Sequence, residues 1–135
     1  MTIQPLVFGD KLWEMAAEYA YNCSWHAGKI LAEQMRKNNF NSWERVFAAM
    51  EGSNIVGYCT LSATDCIPDV SYTPYISFMF VNERHRGNRI SEKLIRFALK
   101  YAKTLKFNKV YLVSDHVGLY EKYGFTKIDE KPAIL

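Results

Sequence analysis

Residues 75–91 read YISFMFVNERHRGNRIS, and this stretch decides the fold. Its first seven residues, Tyr75–Val81, are apolar on both faces except for Ser77. That pattern is typical of a β-strand that is covered on both sides. A short loop with a single glycine follows, and a long amphipathic segment begins near Asn88. The stretch therefore predicts a buried strand that runs through a basic turn into a helix.

The segment after the turn extends this pattern into a βαβ unit. A helix is predicted over residues 88–105, because apolar residues recur at helical spacing from Ile90 onward. Residues 109–114 are almost entirely apolar, which predicts a second buried strand. Since such crossovers are right-handed in nearly all proteins, the two strands are predicted to lie parallel. Residues 82–91 and 115–120 would then meet at the sheet edge where open α/β sheets bind ligands.

The first half of the chain predicts two helices and a hairpin. A short strand is expected over residues 2–8, and Asp10 is positioned to cap the helix that follows. Ser24 is expected to cap a second helix. Two strand-like runs, 44–50 and 55–63, are separated by the turn sequence EGSN, which predicts an antiparallel pair.

Composition is typical of a single globular domain. The chain has 135 residues, 49% of them hydrophobic, and no repeat or linker divides it, so residues 1–135 are interpreted as one domain. The net charge of +3 allows an anionic ligand but does not favour nucleic acid. The three cysteines form no Cys-x-x-Cys pair, and neither a signal peptide nor an apolar run of ~20 residues is present. A cytoplasmic location without a membrane partner is therefore expected.

The turn at residues 84–91 has the features of a phosphate-binding site. The first amides of a helix have no partner within it, and together with the helix dipole they attract anions. Gly87 lets the backbone approach a ligand closely, and three arginines add positive charge. The same residues are also compatible with an ordinary loop whose arginines face water. Neither Gly-x-Gly-x-x-Gly nor the Walker pattern is present, which disfavours dinucleotide and P-loop sites.

Residues 80–95 resemble the acetyl-CoA-binding motif of the GNAT acetyltransferase superfamily, which reads Arg/Gln-x-x-Gly-x-Gly/Ala at a strand-to-helix turn. Residues 119–125, LYEKYGF, resemble a second family motif, a Tyr-x-Lys-x-Gly-Phe helix end. The resemblance covers roughly residues 44–129. It implies an α/β fold with a mixed, largely antiparallel central sheet, one parallel splayed strand pair and helices on both faces. It also implies acetyl-CoA as cosubstrate and no metal.

The resemblance also implies which residues bind the cofactor. Arg86 takes the leading Arg/Gln position, whereas Arg89 stands where the family has Gly. Phe80 and Val81 would pair through their backbone with the pantetheine arm, and Asp115 stands close to a cofactor-contacting Asn of the family. The complete set implied in this way is Phe80, Val81, Arg86, Gly87, Asn88, Arg89, Ile90, Ser91 and Asp115.

The sequence identifies fewer residues for proton transfer than for cofactor binding. Tyr120 is expected to be the general acid that protonates the CoA thiolate, with a packing role as the alternative. The strand before the turn offers Ser77 and no carboxylate, so the family's usual base is missing. Asp65 is the preferred candidate for the general base, and Asp69 and Glu83 are the alternatives.

The sequence thus predicts an N-acetyltransferase that moves an acetyl group from acetyl-CoA to a primary amine by direct attack. A non-catalytic acyl-CoA-binding or sensor module on the same fold is the alternative, because the strand lacks the usual glutamate. A nucleic-acid-binding domain that uses the arginine cluster is disfavoured by the mild charge. The acceptor is expected to be a small-molecule or peptide amine, and the chain to be a monomer or a homodimer.

Overall fold

The computed structural model describes residues 1–64, 72–113 and 125. Its elements in chain order are β1 (Thr2–Leu6), α1 (Lys11–Asn22), α2 (Ala27–Arg36), β2 (Arg45–Glu51), β3 (Asn54–Ser62), β4 (Tyr75–Val81), a short 3₁₀ helix (Glu83–His85) and α3 (Ile90–Thr104). The strands form one antiparallel sheet in the order β1-β2-β3-β4. The expected α/β fold with an antiparallel sheet is confirmed. None of the helices in these residues has the length and apolar character needed to cross a bilayer.

Helices cover both faces of the sheet, because its central strands are apolar on both sides. Along β2, Val46 and Ala48 pack with α1 and α2, whereas Phe47 and Ala49 pack with α3. Successive side chains of a strand point to opposite faces, so this alternation builds two cores from one strand. The buried stripe of α3 consists of Ile90, Leu94, Ile95, Ala98 and Ala102.

Two side chains that were expected to cap helices bond elsewhere. Asp10 occupies the position before α1, but its carboxylate accepts the N–H of Val7 at 3.0 Å instead of a helix amide. Ser24 does not cap α2, which begins at Ala27. Its hydroxyl donates to Glu83 Oε1 at 3.2 Å. The prediction for Ser24 is therefore wrong, and this side chain connects the end of α1 to the turn after β4.

An extra residue in β4 interrupts its pairing with β3. Ser77 pairs with Thr60. Phe80 pairs with Tyr58, so two residues of β4 oppose a single residue of β3 between these pairs. The first of the two, Phe78, has a φ of 51°. Such a left-handed conformation costs a bulky residue about 1–3 kcal/mol. This β-bulge also reverses which backbone groups face each side of the strand.

The strand predicted at residues 109–114 is reduced to one parallel bridge in the described part of the chain. Tyr111 pairs with Tyr75. The N–H of Tyr111 donates to the carbonyl of Pro74 at 2.9 Å, and its carbonyl accepts the N–H of Ile76 at 2.9 Å. Residues 109, 110, 112 and 113 are described and form no strand, and the chain from Ser114 lies outside the described residues, so the parallel splayed strand pair stays a prediction.

Gly28 lies where α2 packs closely against the end of α1 and against β3. A Cβ at this position would contact the carbonyl oxygen of Ala20, and it would lie 2.7 Å from Cys23 Sγ and 3.0 Å from the Tyr58 hydroxyl. We expect Gly28→Ala to lower the melting temperature by roughly 5–10 °C, because overpacking costs ~1–3 kcal/mol. Helix propensity alone favours alanine by about 1 kcal/mol. An unchanged or higher melting temperature in scanning calorimetry would therefore contradict this packing.

Candidate active site

The turn between β4 and α3 leaves a run of backbone amides without partners. Asn82 Oδ1 accepts the N–H of Arg84 at 3.0 Å, and Gly87 then turns the chain with a φ of 88° and open space around it. Within the described part of the chain, no N–H from residues 87–92 donates a hydrogen bond, and that of Lys93 is the first to do so. These amides and the positive end of the α3 dipole are therefore available to an anion.

Arg89 keeps a glycine-like backbone at the start of α3. Its φ of 60° lies in the left-handed region. For a residue with a side chain, the free energy of adopting this conformation is about 1 kcal/mol higher than for glycine. The guanidinium is exposed and forms a loose ion pair with Glu92 at 3.9 Å. Arginine thus adopts a backbone conformation that glycine adopts readily, at the position where the resembled motif has glycine.

Arg86 folds back onto the strand that precedes it. Its Nε donates to the carbonyl of Val81 at 3.1 Å, and its guanidinium carbon lies 5.8 Å from the centre of the Phe80 ring. Both contacts join the turn to the end of β4. Arg86 therefore stabilises the position of the turn, although its side chain stays exposed.

The register of β4 decides which of its amides face the edge away from β3. The N–H of Asn82 donates to the carbonyl of Val56 at 2.8 Å. Because bonded and non-bonded pairs alternate along an antiparallel ladder, the backbone groups of Phe80 face β3, and those of Val81 face the opposite edge. The backbone of Phe80 is thus turned toward β3, so only the Val81 backbone could pair with a pantetheine arm. Phe80 instead contributes its ring to the cleft described below.

A cleft of about 330 Å³ lies between the end of α1 and the turn after β4. The hydrogen bond from Ser24 to Glu83 connects its two walls. The cleft is lined by Tyr19, Asn22, Cys23, Ser24, Phe80, Asn82, Glu83 and Arg84. Since it shares residues with the turn, a molecule in the cleft would lie beside an anion bound at the start of α3.

Two side chains line the cleft with opposite charges that do not pair with each other. They belong to Glu83 and Arg84. In the residues that the structure describes, ion pairs occur only around Glu92 on α3. The carboxylate of Glu83 thus has a neutral partner, the Ser24 hydroxyl, and the Arg84 guanidinium forms no hydrogen bond within the same residues.

The hydroxyl of Tyr19 is buried in this cleft without a hydrogen-bond partner among the described residues. Burial raises the pKa of this phenol above its usual value, and the nearby Asn82 side chain opposes part of that shift. The group is therefore protonated at neutral pH. A buried hydroxyl without a hydrogen bond costs ~1–3 kcal/mol, and the Asn82 side chain is the polar group that lies beside it.

Aromatic rings pack around Phe80 and give the cleft an apolar wall. The Trp25 ring is nearly parallel to that of Phe80, at 4° and 6.3 Å between centres, and the Tyr58 ring lies 5.6 Å away. Cys23 Sγ lies 3.6 Å from the Tyr58 hydroxyl. Burial raises the pKa of Tyr58 far above its usual value, so this phenol stays neutral and contributes no charge.

The structure brings together part of the predicted site. Phe80, Val81 and residues 86–91 meet at the junction of β4 and α3. Tyr120, Asp115 and Asp65 lie outside the described residues, as does Asp69, and their placement stays a prediction.

Sequence reasoning did not identify Tyr19 or Cys23 as cleft residues. They lie at the end of α1, which carries no motif, and only its packing beside β4 gives them this position. Glu83 was one of three acids considered as a base, and it is the one that the described residues place in the cleft.

Residues 9–125 match the model of the acetyltransferase (GNAT) family. No curated protein sequence matches the chain. Among solved structures, a predicted acetyltransferase from Clostridium acetobutylicum with acetyl-CoA is 20% identical, with 99% of this chain and 95% of that one covered and a TM-score of 0.69. A glucosamine-6-phosphate N-acetyltransferase from Arabidopsis thaliana is 15% identical, with 99% and 97% covered and a TM-score of 0.66. An aminoglycoside 6'-N-acetyltransferase from Acinetobacter haemolyticus is 14% identical, with 100% and 97% covered and a TM-score of 0.68.

At these identities the solved structures show the fold alone. The family match shows more than the fold, because it spans most of the chain. The matched residues include β4, the turn after it and α3. The chain belongs to the GNAT family of acetyltransferases.

Proposed function

We propose that the protein is an N-acetyltransferase that transfers the acetyl group of acetyl-CoA to a primary amine by direct attack. The observation that carries this proposal is the run of unpartnered amides at residues 87–92 beside a separate cleft. Direct transfer requires two adjacent sites, one for each reactant, so that the amine is held against the thioester. The solved N-acetyltransferases of similar fold, which act on an aminoglycoside and on an amino sugar phosphate, support an amine acceptor.

Acetyl-CoA is proposed to bind along the junction of β4 and α3. Its diphosphate would accept hydrogen bonds from the amides of residues 87–92, with the exposed Arg89 guanidinium adding positive charge. The pantetheine arm would lie along the β4 edge at Val81. Asp115 remains a proposed cofactor contact. Arg86 would act indirectly, by holding the turn against the strand.

The chemistry needs a neutral amine and a protonated leaving group. The amine nitrogen forms a bond to the acetyl carbon, the carbon–sulfur bond breaks, and the former ammonium loses two protons in all. Asp65 is the proposed base that takes the first of these protons from the ammonium. Tyr120 is the proposed general acid: it gives its phenolic proton to the CoA thiolate and is reprotonated by the second proton, which leaves the nitrogen as the amide forms. A backbone N–H on the β4 edge would stabilise the oxyanion, a contribution of about 10²–10³ in rate.

Calorimetric titration with acetyl-CoA, followed by thiol release in the presence of an amine panel, tests the proposal. We expect saturable binding and thiol release that depends on the amine. Binding without amine-dependent release would support the non-catalytic acyl-CoA-binding module instead. The absence of any binding heat would contradict the proposed cofactor site.

Gly87→Ala is expected to weaken acetyl-CoA binding about tenfold, because the new side chain strains the turn by ~1 kcal/mol and occupies space beside the amides. Gly52→Ala is a matched control, since Gly52 also has a positive φ, of 60°, and open space around it. Gly52 lies in the hairpin between β2 and β3. Calorimetry should show weaker acetyl-CoA binding in the first variant only. Equal affinities in the two variants would contradict the role of the turn.

Tyr120→Phe is expected to lower turnover by about 10²-fold or more while the acetyl-CoA affinity stays unchanged, because only the proton donor is lost. Tyr21→Phe is the control, since Tyr21 is exposed on α1 and packs its ring under Lys29. Turnover is measured by thiol release and affinity by calorimetry. If Tyr120→Phe turns over like the control, Tyr120 has no part in the mechanism.

A further inference from the structure

We propose that the cleft selects a small acceptor that carries both a primary ammonium group and an anionic group, with Glu83 receiving the ammonium and Arg84 the anion. This inference rests on the proposed function, because it takes the cleft as the acceptor site. It goes beyond that function by naming the chemical class of the amine and the residues that recognise it.

The unpaired charges of the cleft are the first support. Glu83 and Arg84 are neighbours in sequence, opposite in sign and both part of the lining. Within the described residues neither forms an ion pair, so each retains its full charge for a ligand. A purely cationic acceptor would leave the guanidinium without a counter-charge, whereas a ligand with both charges matches both residues.

Ser24 positions the carboxylate without neutralising it. Its hydroxyl donates to Glu83 Oε1 at 3.2 Å, from the opposite wall of the cleft. An ionised carboxylate offers about four acceptor positions, so one hydrogen bond from a neutral group leaves most of them free. Glu83 can therefore accept hydrogen bonds from an ammonium group while it stays held by Ser24.

Arg84 supplies the complementary group. Its backbone N–H is fixed by Asn82 Oδ1 at 3.0 Å, which places its side chain at the border between the cleft and the turn. A guanidinium presents planar paired donors that match a carboxylate or a phosphate. A contact to the CoA diphosphate is the competing role for this side chain, and the experiment below separates the two.

The remaining features of the cleft indicate a compact ligand. Its volume of about 330 Å³ lies at the lower end of the ~300–1,000 Å³ found for small-molecule sites. Asn22, Ser24 and Asn82 add neutral polar side chains to its lining. A small molecule with several polar atoms fits these features better than a polypeptide segment does.

The test compares probes that share a two-carbon spacer. β-Alanine and phosphoethanolamine carry an ammonium and an anion, ethanolamine carries the ammonium alone, and ethylenediamine carries two cationic groups. Calorimetric titration into CoA-saturated protein measures their binding separately from turnover. We expect β-alanine or phosphoethanolamine to bind about tenfold more tightly than the other two, since each added charge-assisted hydrogen bond is strong. Whichever of β-alanine and phosphoethanolamine binds more tightly shows whether the cleft prefers a carboxylate or a phosphate.

Two variants assign the charges to their residues. Glu83→Gln should weaken binding of all four probes by roughly tenfold, because all carry the ammonium. Arg84→Gln should weaken only β-alanine and phosphoethanolamine, and it should leave the affinities for ethanolamine and acetyl-CoA unchanged. Glu18→Gln and Arg96→Gln are the controls, since both residues are exposed and lie outside the cleft. Neither control should change any of these affinities.

Several outcomes would overturn the inference. One is tighter binding of ethylenediamine or ethanolamine than of the two probes with an anionic group. Another is a loss of acetyl-CoA affinity in Arg84→Gln without a loss of affinity for the anionic probes, which would assign Arg84 to the cofactor. Protein that binds acetyl-CoA but none of the probes would also overturn it. Failure of the proposed function differs from all of these, because the unmodified protein would then bind no acetyl-CoA.

Discussion

The extra residue in β4 is the constraint on which the candidate site depends. Before the bulge, the backbone of Ile76 faces Tyr111 and pairs with it. After Phe78 the alternation is reversed, so that Val81 faces the same edge. A regular strand would turn the Val81 peptide toward β3. The bulge thus lets one strand pair with protein at its beginning and present the Val81 N–H at its end, beside the amides of the turn, while the Val81 carbonyl accepts the Arg86 side chain.

The start of α3 is fixed by burial although its amides are open. Ile90 is 3% exposed and packs in the core between α3 and the sheet, while the residue before it is exposed. The helix cannot shift without withdrawing this side chain, and burying a side chain of that size stabilises the fold by ~1.5–3 kcal/mol. Amides held in this way need no reorganisation when an anion binds. Core packing along the helix therefore fixes the position of the candidate anion site at its start.

Hydrophobic periodicity was sufficient to predict the elements around this site. Tyr75–Val81 was predicted with the bounds that the structure shows, because a run that is apolar on both faces has few alternatives to a buried strand. The open backbone amides of the turn were also predictable, since they follow from a glycine and a helix start. The β-bulge was not predictable, because positive φ values usually indicate Gly or Asn, and Phe78 carries no such signal.

The cleft was hidden from the sequence for a different reason. Ser24 has the residue type of a helix cap, and local preference alone assigns it to α2. Its actual partner, Glu83, lies 59 residues away, and only the packing of α1 beside β4 brings the two together. The same holds for Tyr19, which this packing places beside Asn82 of the turn. The spacing of residue types along the chain predicts helices, strands and motifs. A cleft between elements that are distant in sequence depends on the tertiary fold.

The stack of Trp25 on Phe80 also has an optical consequence. Of the three tryptophans, Trp13 is buried at 1% exposure, and Trp43 packs against Phe107 on the far side of the sheet. Trp25 is 37% exposed, and its neighbour Phe80 lines the cleft. Indole emission changes in wavelength and intensity with the polarity around the ring. The molecule therefore contains an intrinsic fluorophore next to its cleft, against a background from two indoles that do not line it.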